Sequence, residues 1–185
     1  MNRTALCLAL ATAVLAGAGT VGAQTFPVVA GTLEIQGGMA AVTLPEQYFG
    51  SISAQPELRF GYFIAEGLMI QAVGDMRVWP LGTAAPSFYG VTGNLLWFPN
   101  LGPRSRSLYL LGGAGGLLLD PPNPAEGRTF DGVIRGGVGV KISLAELGAR
   151  FLHPFHFTVE FREELSIADE TDMLSGVSFG LSSFR

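Results

Sequence analysis

From Phe155 to Ile167 the chain alternates strictly. Phe155, Phe157, Val159, Phe161, Leu165 and Ile167 share one parity, while His156, Thr158, Glu160, Arg162, Glu164 and Ser166 share the other, with Glu163 the single charge on the apolar side. A period of two belongs to a β-strand with one apolar and one polar face. The same pattern sets Leu58, Phe60, Tyr62 and Ile64 against Glu57, Arg59 and Gly61, and Ile134, Val138, Val140 and Ile142 against Arg135, Gly137, Gly139 and Lys141. Read along the chain, with turn residues as punctuation, it predicts strands over Thr32–Val42, Ser51–Ile64, Leu68–Trp79, Phe88–Phe98, Ser107–Leu119, Phe130–Ser143, Phe155–Ile167 and Met173–Phe184. Most of these reach the ~9–11 residues that a tilted strand needs to cross a bilayer, whereas a strand in a globular domain averages about 5–6. The fourth and fifth strands carry the weakest signal, because Leu95-Leu96-Trp97-Phe98 and Leu108-Tyr109-Leu110-Leu111 are apolar on both sides.

The first residues follow a different rule. A single charge at Arg3 precedes an apolar run from Ala5 to about Ala18, followed by small residues ending Val21-Gly22-Ala23. This is the layout of a cleaved secretory signal, too short and too glycine-rich at its end for a membrane helix. The expected organisation is a signal peptide over 1–23 and one domain over 24–185. Cys7, the only cysteine, falls in the removed segment, so the exported domain has no disulfide or thiolate chemistry.

Composition sharpens the picture. Of 185 residues, 48% are hydrophobic and only 14% charged, and the mean hydropathy is +0.38. No apolar run after the signal is long enough for a helical span, so the remaining way to place such a chain across a bilayer is a closed barrel. The net charge of −4 points away from nucleic acid as a partner.

The polar faces gather Glu34, Glu57, Arg59, Asp75, Arg77, Arg135, Lys141, Glu160, Arg162 and Glu164, five acids against five bases. In a membrane barrel these point into the lumen, where a buried charge persists only if paired or hydrated; in a soluble barrel the same faces would meet solvent. Glycines at 61, 137 and 139 leave room for long side chains in an interior that eight strands make only wide enough to fill. Aromatics gather near the expected strand ends, as at the two interfaces of a spanning barrel. Tyr48, Phe49, Trp79, Phe88, Tyr89 and Phe130 fall at one end, and Phe63, Trp97, Phe98, Tyr109, Phe151, Phe155 and Phe184 at the other.

With the export signal, the eight strand-like segments, the PELRFGYF run at Pro56–Phe63, the FTVEFREEL run at Phe157–Leu165 and the ending GVSFGLSSFR, the chain resembles the small outer-membrane β-barrel family of OmpA-like and opacity-type domains. The resemblance implies an all-β, eight-stranded antiparallel up-and-down transmembrane barrel. It also implies outer-membrane lipid, lipopolysaccharide and the barrel-assembly machinery as partners, with the external partner unspecified. Family members usually end on an aromatic residue in phase with the lipid-facing side. Here Val177, Phe179 and Leu181 are in phase and Phe184 is one step out, unless a bulge near the end restores it.

Candidate chemistry is sparse. His153 and His156 flank Pro154 with no serine in a catalytic spacing, and read as a turn residue and an inward-facing strand residue. Glu163 with Glu164, and Asp169, Glu170 and Asp172, read as solvated or paired carboxylates rather than an acid pair or calcium site. The glycine runs at 112–116 and 136–139 lack the lysine, hydroxyl and following helix of a phosphate loop. The expectation is a non-enzymatic barrel without metal or cofactor, which stabilises the envelope or presents surface loops. The alternatives are a narrow channel for small or hydrophobic solutes, an outer-leaflet lipid-modifying enzyme, and a soluble periplasmic lipid-binding barrel.

Overall fold

Eight strands form where the alternation predicts them, their ends within two residues of expectation: β1 (Leu33–Thr43), β2 (Ile52–Ala65), β3 (Leu68–Arg77), β4 (Ser87–Trp97), β5 (Leu108–Asp120), β6 (Thr129–Ser143), β7 (Phe155–Ile167) and β8 (Thr171–Phe184). The computed structural model describes residues 29–43, 52–77, 87–99, 108–120, 127–145, 154–167 and 171–185. The expected signal segment, Trp79, His153 and most loop residues lie outside them.

Each strand pairs antiparallel with the next, and β8 returns to β1, so the sheet closes into a barrel. The closing seam runs unbroken from Glu34 opposite Phe184 to Val42 opposite Gly176, and Leu33 and Arg185 exchange both backbone hydrogen bonds beyond it, at 2.7 and 2.9 Å. Closure removes the open edge that hydrocarbon could not solvate. The β2–β3 hairpin is the tightest described connection. Gly67 turns it at φ +71°, a conformation that costs an L-residue strain, and its carbonyl accepts the Phe98 N–H at 2.7 Å.

The two faces of the sheet are inverted relative to a water-soluble protein. Leu33, Ile35, Leu58, Phe60, Ile70, Leu95, Ile134, Phe179 and Leu181 point outward and are 47–53% exposed, while Arg59, Arg135, Lys141 and Arg162 are at most 2% exposed. A continuous apolar exterior of this size is stable in hydrocarbon and costly in water. The soluble lipid-binding alternative requires aliphatic groups within and charge without, so the orientation of the side chains overturns it.

Candidate functional site

Among the described residues, polar and charged side chains concentrate in the lumen. Inward positions are set by strand parity, and the register decides which side chains meet across the hollow. Three layers result.

At the end that holds both termini of the described barrel, Phe63, Met69, Leu96, Phe98, Tyr109 and Leu111 form a buried apolar cluster, with Phe184 packed against it. The Phe98 ring lies 5.4 Å from Phe63 and 5.3 Å from Tyr109, tilted in both cases. At the opposite end Ala40, Val42 and Leu174 make a smaller cluster.

Between these stoppers runs a web of alternating charge. Arg135, from β6, reaches Asp75 on β3 at 3.1 Å and Glu164 on β7 at 2.9 Å, and donates to Thr92 at 2.8 Å. Arg162 contacts Glu164 at 2.9 Å, pairs closely with Glu57, and donates to Gln55 at 3.0 Å. Arg59 is the hub. It donates to Glu57 at 2.6 Å, to Glu160 across the barrel at 2.7 Å and to Ser178 at 2.9 Å. The Tyr109 hydroxyl donates to Glu160 at 2.7 Å and so ties the web to the apolar stopper. Lys141 forms its own pair with Glu34 and donates to Gln36 at 3.0 Å. Four of these bridges, Arg59–Glu160, Arg162–Glu57, Arg135–Asp75 and Lys141–Glu34, join strands that are not neighbours in the sheet, so the web braces the barrel across its hollow. Charges this far from water interact strongly and are tolerated because each finds a counter-charge.

Glycine makes the room. A Cβ at Gly139 would collide with the Tyr109 ring and hydroxyl, one at Gly90 with the Asp75 carboxylate, and one at Gly180 with the Gln36 amide. A bare backbone on one strand thus seats the long side chain of its neighbour. Gly139→Val is expected to push Tyr109 off Glu160 and lower stability by about 1–3 kcal/mol, the usual range for overpacking. Urea unfolding of the reconstituted barrel checks this; an unchanged midpoint would mean that Tyr109 has room to move.

Of the ten charges expected in the lumen, Glu34, Glu57, Arg59, Asp75, Arg135, Lys141, Glu160, Arg162 and Glu164 are all buried there. Arg77 carries the inward parity, but its side chain lies outside the described set. The aromatics divide differently from expectation. Tyr89, Trp97 and Phe155 face outward, and Phe130 is the most exposed of the large outward hydrophobics. Phe98 and Tyr109 are corrections: both were expected at the lipid interface, and both are buried in the inner stopper. Phe63 joins them there, and Phe88 has the lumenal parity and is half-buried at the other rim. The reason is that, at the stopper end, the inward positions of β4 and β5 are as apolar as the outward ones, so the period of two is lost there.

Alternation carried information beyond the charges. Gln36, Gln55, Gln71, Thr92, Asn94 and Thr158 are also buried lumenal groups, each legible as a polar residue on the inward parity. Among the described strand side chains, Glu163 is the one charged group facing outward, where it accepts a hydrogen bond from Ser175 at 2.8 Å. Phe184 points inward with no compensating bulge in the β1–β8 register; its ring meets the edge of His156 at 4.9 Å.

No protein-family model matches the chain, and no curated protein matches it either. Similarity lies in three-dimensional structure. The outer membrane protein Ail of Yersinia pestis in a phospholipid bilayer nanodisc superposes with a TM-score of 0.53 at 13% identity, covering 84% of this chain and 99% of that one. The crystal structure of the same attachment invasion locus protein gives 0.51 at 13%, covering 85% and 100%. Its complex with the heparin analogue sucrose octasulfate gives 0.50 at 14%, again covering 85% and 100%. At these identities the likeness is one of fold, and together with the inverted faces it makes this chain a closed, eight-stranded transmembrane β-barrel.

Proposed function

We propose that the protein is an integral outer-membrane barrel, exported by a signal cleaved after Ala23, which serves a structural or surface-presenting role and does not conduct. The observation that carries this reading is the filled lumen. Arg59, Arg135 and Arg162 bridge opposing walls through carboxylates, and apolar clusters stand at either end of the web. A solute path would have to break several buried ion pairs at once, each strongly favoured in a low dielectric.

Function then resides outside the hollow. The apolar exterior engages outer-membrane lipid, lipopolysaccharide bounds the rim on the cell's outer side, and the barrel-assembly machinery inserts the chain. External partners would be met by the hairpins between β1 and β2, β3 and β4, β5 and β6, and β7 and β8. No residue of the described lumen is assigned a catalytic, cofactor-binding or metal-binding role, and nucleic acid is not a partner.

In planar lipid bilayers the purified barrel is expected to leave the conductance at the level of lipid alone. Stepwise openings would overturn this reading in favour of the narrow channel. In parallel, the protein is expected to fractionate with the outer membrane and to migrate differently on gels before and after heating.

A further inference from the structure

Glu163 departs from the rule that places charge in the lumen. It stands part-buried on the outer wall of β7, where its Oε2 accepts the Ser175 hydroxyl of β8 at 2.8 Å. The pair does not mark the edge of the apolar exterior. Phe161 and Leu165 flank Glu163 along β7, with Ile167 beyond, and Met173 and Val177 flank Ser175 along β8. Opposite Glu163 in the register is Gly136 of β6. The exposed Phe130 lies six residues farther along that strand, toward the end away from the termini, and Phe155 lies eight residues from Glu163 in the other direction. On tilted strands these intervals are roughly 15 and 20 Å of height. The carboxylate is therefore deep in the apolar band, and its short side chain cannot carry it to either surface as the longer stems of lysine and arginine can. Ionisable groups at such depth normally face a polar interior and pair with one another. Ser175 supplies a hydrogen bond and no counter-charge.

The wall beside the carboxylate is bare. In the same row, Gly136 is followed by Gly112 of β5. A Cβ at Gly112 would meet nothing within 4 Å, and one at Gly136 only the Leu111 carbonyl oxygen, at 4.0 Å. With strands about 4.8 Å apart, two bare positions make a slot roughly 10 Å long that opens to lipid and ends on Glu163. Ile134 and Val138 on β6 bound it, as do Leu110 and Ala114 on β5. Two glycines alone would be a smooth stretch of wall. The carboxylate at one end gives the slot a direction and a sign.

We propose that this slot docks a basic side chain, lysine or arginine, presented at the same depth by a second membrane-spanning protein. The aliphatic stem lies along the Gly112–Gly136 backbone between apolar walls, and the ammonium or guanidinium meets Glu163, an attraction that a low dielectric makes strong. A second copy of this chain does not fit, because its described strand side chains include no outward base, and pairing like faces would set carboxylate against carboxylate. The ammonium groups of phospholipids lie at the membrane surface, too far from Glu163 to reach it. The inference rests on the outer-membrane reading and adds to it a lateral partner within the bilayer.

The probe is a synthetic transmembrane peptide, a leucine–alanine helix of about 20 residues with one central arginine, and a twin with leucine in its place. Dye-labelled barrel and peptide are reconstituted together in phosphatidylcholine vesicles. Heat-modifiable migration first shows that each barrel variant is inserted, so a failure of the outer-membrane reading is seen separately from a failure of the slot. Energy transfer to the arginine peptide is expected to exceed that to the leucine twin several-fold. It is expected to fall to the level of the twin in Glu163→Gln, and also in Gly136→Leu, which fills the slot and leaves the carboxylate in place. Equal transfer to the two peptides from the wild-type barrel overturns the proposal without recourse to any variant, and so does an arginine preference that survives either substitution. Barrel-to-barrel transfer that is lost in Glu163→Gln overturns it in favour of a second copy. An arginine preference that vanishes when phosphatidylethanolamine replaces part of the phosphatidylcholine overturns it in favour of a lipid amine.

Discussion

Arg59→Met is expected to destabilise the barrel by about 3–5 kcal/mol, the range for breaking a buried ion pair by removing one partner. Methionine keeps much of the volume, so the loss does not come from a cavity. It comes from Glu57 and Glu160, both nearly fully buried, which lose the guanidinium that pairs with them. Ser178 loses its donor as well. Pairing the change with Glu160→Gln should restore part of the stability, because one stranded charge is removed along with its counter-charge, and the double-mutant cycle then reports the coupling directly. The measurement is reversible urea unfolding in lipid vesicles, followed by tryptophan fluorescence or by the fraction that keeps heat-modifiable migration. A loss below about 1 kcal/mol, the size typical of an exposed pair, would mean that water reaches Arg59. The closed-lumen reading would fall with it.

That residue also shows what the sequence could and could not reveal. Arg59 is legible as lumenal because Leu58 and Phe60 flank it and the parity continues to Tyr62 and Ile64. The same holds for β7, where every second residue from His156 to Glu164 is buried. Strand ends emerged from turn residues, and the closed order of strands from hairpin connection and even number. The pairing partners did not. Nothing local to Arg135 says that it meets Asp75 rather than Glu57, because that depends on the stagger between strands 60 residues apart. Tyr109 and Phe98 lie in the lumenal stopper and not at the lipid interface, and the sequence does not show it for a related reason. An aromatic at a strand end serves a lipid interface or a lumenal stopper equally well, and the apolar runs in β4 and β5 give no parity to choose between them. Phe184 was readable from parity alone: the alternation put it out of phase with Val177, Phe179 and Leu181, and the structure turns it inward against His156.

Leu58→Arg probes the other face and should separate a barrel in lipid from one in water. Leu58 is half exposed on the outside of β2, six residues from Ile52 and seven from Ala65 at the strand ends, which places it roughly 15 Å from either end of a tilted strand. Its cross-strand neighbours are Gly37 and Gly74, and a side chain added at either would meet nothing within 4 Å. An arginine at 58 therefore meets no steric obstacle, and any loss must come from the surroundings. Near a bilayer midplane that loss is about 2–4 kcal/mol, falling to about 0–1 kcal/mol close to an interface. Ile64→Arg, one residue from the end of the same strand, should accordingly cost much less. The gradient is the diagnostic quantity, since a water-exposed wall would accept arginine equally at both positions and would gain solubility from it. Folding yield into vesicles and urea unfolding of the two variants, compared with wild type, read the gradient directly. Equal and negligible losses at 58 and 64 would mean that this apolar exterior does not face hydrocarbon.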